Sequence, residues 1–121
     1  MENVVNIQNE QLVIEPVGLT KIAALKERIV IPLTHVVGAS IDTGIINEGK
    51  GFRMPGTAIP GYWAGTFRKN DEMTFFNIKH TSLPVVIQLK DEKYTRLVLG
   101  VDKPRELVTL INNHADRKSV V

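Results

Sequence analysis

The chain has 121 residues, which is enough for one hydrophobic core and too short for two domains. Hydrophobic residues make up 43% and charged residues 23%, a globular balance that excludes wholesale disorder. Fifteen basic and thirteen acidic residues are interspersed, which excludes the concentrated basic face of a strong nucleic-acid binder; with no cysteine there are no disulfides, thiolate metal sites or cysteine nucleophiles.

Residues 1–10 are polar, with Glu2 and Glu10 and no basic-then-apolar leader, and read as a flexible lead-in. Gln11 to Glu15 is a strand candidate stopped by Pro16 and Gly18. Leu19, Ile22, Leu25 and Ile29 recur at the spacing of one helix face, so Leu19–Glu27 is expected as a short inserted helix. Ile29 to Ile31 and Val36 to Ile41 are rich in β-branched residues and read as strands. From Asp42 to Gly61 there is no period, and glycine and proline recur at 44, 49, 51, 55, 56, 60 and 61. A loop this long in a compact domain is functional or flexible.

The second half follows hairpin grammar. Tyr62–Arg68 and Met73–Ile78 flank the polar turn Lys69-Asn70-Asp71-Glu72. Val85, Ile87 and Leu89 alternate with Val86 and Gln88, and after a second polar turn Leu97, Leu99 and Val101 alternate with Arg96 and Val98. The period then changes. Leu107, Leu110, Ile111 and His114 form a helical stripe, with Asp102 as the expected cap and Pro104 in the first turn. A helix over about 103–114 is predicted, closing a single domain of 11–115, with residues 116–121 as a frayed tail. Without cysteines, a leader or an apolar run near about 20 residues, the protein is expected to be cytoplasmic and not membrane-spanning.

The run Arg53-Met54-Pro55-Gly56-Thr57, then Pro60-Gly61 and Gly65-Thr66-Phe67, resembles the bacterial pleckstrin-homology-like domain families. So do the strand pair Val85–Leu89 and Arg96–Val101 and the Asp102-Lys103-Pro104 entry into the last helix. The resemblance implies a mainly β (α+β) fold: a strongly bent antiparallel sheet, or partly open barrel, of about seven strands capped by a C-terminal α-helix. It carries a fold expectation further than an activity.

Several motifs approach a known chemistry without completing it. Gly44 to Gly51 is a near miss to a phosphate-binding loop, but Gly51 stands where a hydroxyl must hold the metal. Lys21, Lys26 and Arg28 match a loose phosphoinositide pattern but fall on the expected helix and its exit, where a solvated face is the simpler reading. His35, His80 and His114 are scattered without metal-ligand spacing, and the Asp71-Glu72 and Asp91-Glu92 pairs sit in polar turns where both acids stay ionised. No catalytic set, metal or cofactor is expected. Arg53 offers a planar fork to a carboxylate or phosphate, and Thr57, Arg68, Lys69 and His80 are the residues that could join it.

The expected function is therefore a non-enzymatic binding or scaffold module. Its partner is a protein segment or a second copy of the chain, with an anionic lipid headgroup as the weaker possibility and no nucleic acid. One alternative is a self-assembling subunit; another is a small-molecule sensor or enzyme with a pocket beneath the 42–61 loop.

Overall fold

In the computed structural model the described residues are 2–18, 28–46, 52–53 and 59–119, with 52–53 and 116–119 described by backbone alone. They form a mainly β molecule of two sheets and one α-helix, without a closed barrel. The expected helix at Leu19–Glu27 lies outside the described residues.

The smaller sheet is an antiparallel meander of β1 (Asn3–Gln8), β2 (Gln11–Pro16) and β3 (Ile29–Pro32). The expectation of a flexible lead-in at 1–10 is thereby corrected. Asn9 and Glu10 have φ of 52° and 61°, the left-handed pair that a two-residue hairpin turn requires, and they fold Val4, Val5 and Ile7 back along β2.

The larger sheet runs in the order β4 (Val36–Ile41), β8 (Val85–Leu89), β9 (Arg96–Leu99), β7 (Glu72–Lys79), β6 (Tyr62–Lys69), β5 (Phe52–Arg53). Asn70 and Asp71, with φ of 52° and 63°, make the tight turn between β6 and β7, and Lys69 pairs with Glu72 across it as the sequence predicts. The β8–β9 hairpin is also present. Two expectations are corrected: the described residues hold nine strands rather than about seven, and the sheet is mixed, because β9 inserts parallel to β7 with Phe75 opposite Leu97.

The main core lies between the sheets. Leu12, Ile14 and Ile31 meet Phe75, Ile87 and Leu97 there, all at most 2% exposed. Each such side chain contributes about 1.5–3 kcal/mol on leaving water. The opposite face of the larger sheet carries a second cluster, Phe67, Phe76, Ile78, Val86 and Val98, packed with Ile45, Ile46 and Trp63. Strands β7, β8 and β9 are thus buried on both faces, so their apolar runs are longer than alternation requires.

The helix α1 (Pro104–Ser119) continues past the expected end at 114 into the segment read as a frayed tail. Pro104 fits its first turn, where a missing N–H costs nothing, and Glu106 complements the helix dipole. Among the described residues no bond joins the Asp102 side chain to the first turn, contrary to expectation; that turn closes through Leu107 N–H to the Lys103 carbonyl at 3.1 Å. Leu107 and Ile111 anchor the helix in the main core. Asn112 lies against β4, accepting the Ala39 N–H at 2.8 Å and donating to the Ala39 carbonyl at 2.9 Å. One side-chain amide thereby does what a neighbouring strand would do and closes the β4 edge. Asn112→Leu keeps the volume but leaves both Ala39 groups unpaired. It is expected to cost about 2–3 kcal/mol, with hydrogen exchange at the Ala39 amide rising out of proportion to that at Ile87.

Candidate functional site

Strand alternation sends Phe67 and Lys69 of β6, Thr74 and Phe76 of β7, Gln88 of β8 and Arg96 of β9 to the same outer face of the larger sheet. The turn of 3-10 helix at Thr43–Ile46 folds over that face, held by Gly44 N–H to Asp42 Oδ1 at 3.0 Å, and brings Ile45 against it. Between them is an open cleft of about 380 Å³, with Ile45, Phe67 and Phe76 as its apolar floor. The two phenylalanine rings meet edge to face, with centroids 5.1 Å apart.

Arg96 is the most constrained charged group of the cleft. Its Nη1 donates to Thr74 Oγ1 and its Nη2 to Glu72 Oε1, each at 3.0 Å. The register explains this: Thr74 stands directly opposite Arg96 in the parallel β7–β9 pair, and Glu72 is two residues back on the same face. The Arg96 side chain is 22% exposed while that of Glu72 is 49% exposed, so the guanidinium is the more desolvated partner. Lys69, across the hairpin from Glu72, adds a second cation at the rim, and Asp42 a second carboxylate.

The residues singled out from sequence scatter. Arg53 lies in β5, its backbone paired with Phe67, and its side chain is outside the described residues, as is all of Thr57. Arg68 points away from the cleft, 59% exposed, in a 3.6 Å ion pair with Asp71 that contributes little in water. His80 sits at the far end of the β6–β7 hairpin, its ring 4.6 Å from that of Trp63. Of the described side chains of that set, only Lys69 lines the cleft. His35 is engaged elsewhere, with Nδ1 2.5 Å from Glu92 Oε2. The phosphate-loop near miss is followed by the strand residues Phe52–Arg53 rather than by the helix it requires. Lys21 and Lys26 lie outside the described residues, and Arg28 is exposed.

No protein family, curated protein or solved structure matches the chain. Chemistry must be argued from its own residues. Among those described, no group of three or more His, Asp or Glu is placed to hold a metal ion, and no helix is long and apolar enough to cross a membrane.

A second feature lies on the opposite side of the molecule. Because the Asn9-Glu10 turn closes the Gln8–Gln11 pair, β1 alternates: Val4, Asn6 and Gln8 bond to β2 while the N–H and C=O groups of Val5 and Ile7 point outward. Among the described residues β1 has no neighbour on that side, and none of them bonds to those groups. Beside this edge runs a groove of about 280 Å³ bounded by Val4, Val5, Val101, Leu107 and Leu110. Leu110 is 44% exposed, the helix's one large apolar side chain turned toward water among the described residues.

Proposed function

We propose that this chain is a non-enzymatic binding module of pleckstrin-homology-like architecture that recruits an extended protein segment by adding it to the outer edge of β1. The reading of the architecture rests on two sheets with the C-terminal helix packed into their shared core, and the parallel β7–β9 pair is a departure from the all-antiparallel pattern. The observation that carries the binding reading is the unpaired edge. Natural edge strands are blunted by lysine, proline, bulges or a covering element. β3 ends in Pro32, β4 is covered by Asn112, and β5 is two residues long. β1 reads Asn-Val-Val-Asn-Ile-Gln, without charge, proline or bulge.

Such an edge fits a partner in extended conformation. Main-chain bonds to Val5 and Ile7 supply affinity, and the groove toward Leu107 and Leu110 accepts one apolar side chain of the segment. The test is binding of the purified chain to an array of hexapeptides with alternating apolar residues, in parallel with vesicles containing anionic lipid and with light scattering. Val5→Pro is the discriminating variant, because the Val5 N–H points away from β2 and its loss breaks no ladder bond. Peptide binding weakened at least about tenfold more by Val5→Pro than by Val5→Ala, which trims the same partial core packing but keeps the N–H, is the expected outcome; tenfold corresponds to about 1.4 kcal/mol. Binding to vesicles alone, a dimer that persists without peptide, or peptide binding indifferent to Val5→Pro overturns it.

A further inference from the structure

We infer that the cleft on the outer face of the larger sheet is a site for a small monocarboxylate with an aromatic or apolar body, anchored by Arg96. The site is distinct from the β1 edge, and neither reading depends on the other.

The argument starts from donors. A guanidinium carries five N–H groups. Arg96 gives one to Thr74 and one to Glu72, and no other described residue accepts from it. The fork is nevertheless largely withdrawn from water and its position is fixed at two points, so its remaining donors are held in place before any ligand arrives. Thr74 strengthens the case. It is 8% exposed, and its oxygen is used as an acceptor from Arg96, so its own proton is left to donate. Gln88, opposite Arg96 across the β8–β9 pair, adds an exposed amide to the same rim. Donors that converge in a partly dry cleft call for an acceptor, and a carboxylate matches the planar fork.

Charge and shape narrow the class. The lining carries Lys69 and Arg96 against Asp42 and Glu72, so it offers a polyphosphate no surplus of positive charge, and the Arg96 fork is left to meet one carboxylate. The floor of Ile45, Phe67 and Phe76 is apolar, and the volume is in the range of small-molecule sites. A ligand with its carboxylate on Arg96 and Thr74 and its ring over Phe67 and Phe76 uses both halves.

Phenylacetate is the probe, with acetate (charge without ring) and phenethylamine (ring with the wrong charge) as comparisons, followed by amide chemical shifts of the full chain. Saturable shifts centred on Thr74, Gln88 and Arg96 with phenylacetate are expected, with at least about tenfold weaker binding for either comparison. Arg96→Lys keeps a cation beside Glu72 but loses the fork, and is expected to weaken phenylacetate by about tenfold. Gln88→Glu provides a check that leaves the Thr74 and Glu72 bonds intact. It places a built-in carboxylate next to the fork and is expected to exclude the probe by a similar factor. Equal affinity for phenethylamine, shifts located elsewhere, no saturation, or binding unchanged in both variants overturns the assignment.

Discussion

Asn77→Ala is expected to lower stability by about 3–5 kcal/mol, a large share of the about 5–15 kcal/mol that holds a typical domain together. Asn77 is on β7 and Asn3 begins β1, so the two belong to different sheets, and both are 0% exposed. Asn77 Nδ2 donates to Asn3 Oδ1 at 2.8 Å and to the Glu2 carbonyl at 3.2 Å. In return Asn3 Nδ2 donates to the carbonyls of Asn77 and Gly100, each at 2.9 Å. The two sheets share no strand, so this reciprocal pair stitches the start of the small sheet to the ends of β7 and β9. Alanine removes the donor, leaving Asn3 Oδ1 buried without it and the Glu2 carbonyl with the Val17 N–H at 3.0 Å, and a lost partner costs more than a made bond gains. Urea unfolding of Asn77→Ala, Asn3→Ala and the double variant tests this. The double variant is expected to lose clearly less than the sum of the singles, because each single strands the other's amide. A loss under about 1 kcal/mol for Asn77→Ala counts against the stitch.

This pair also marks where sequence reading stopped. Local signals were legible: Lys69-Asn70-Asp71-Glu72 specified a turn and so the β6–β7 hairpin, and Pro104 with the Leu107–Ile111 stripe specified the helix. What escaped depended on partners far along the chain. Asn-Val-Val-Asn-Ile-Gln looks like polar coil until β2 is beside it, and a fully buried asparagine at position 3 has no local signature because its partners are 74 and 97 residues away. The parallel placement of β9 was hidden for the same reason: neighbours in sequence suggest β7 against β8, and only two-sided burial draws β9 between them.

The cleft was half legible. Lys69 is among the residues named from sequence, and a pocket beneath the 42–61 stretch is one of the alternatives; of that stretch Asp42 and Ile45 line the cleft. In the sequence Arg96 stands as one polar member of an alternating strand, and Thr74 within Met73–Ile78 carries no signal of its own. Their one available signal was Arg96 alternating with Val98 on a strand whose outer face is otherwise apolar, a lone cation where a buried strand has no use for one.

Gly100→Ala is expected to destabilise by about 2–4 kcal/mol, as overpacking at a filled site does. Gly100 is buried just after β9, with the Glu2 carboxylate lying where a side chain at position 100 would project, so an alanine methyl would overlap it. That carboxylate accepts the Lys79 N–H at 2.9 Å at the end of β7, and a methyl group forces it out of this bond. The glycine is thus required by its neighbour rather than by its own backbone. The double variant separates the two causes. In a Glu2→Ala background the space beside position 100 is open, so adding Gly100→Ala is expected to cost less than about 1 kcal/mol further, an interaction energy of the size found for directly touching residues. Were Gly100→Ala equally damaging with and without Glu2, the constraint would belong to the strand backbone and not to the Glu2 carboxylate beside it.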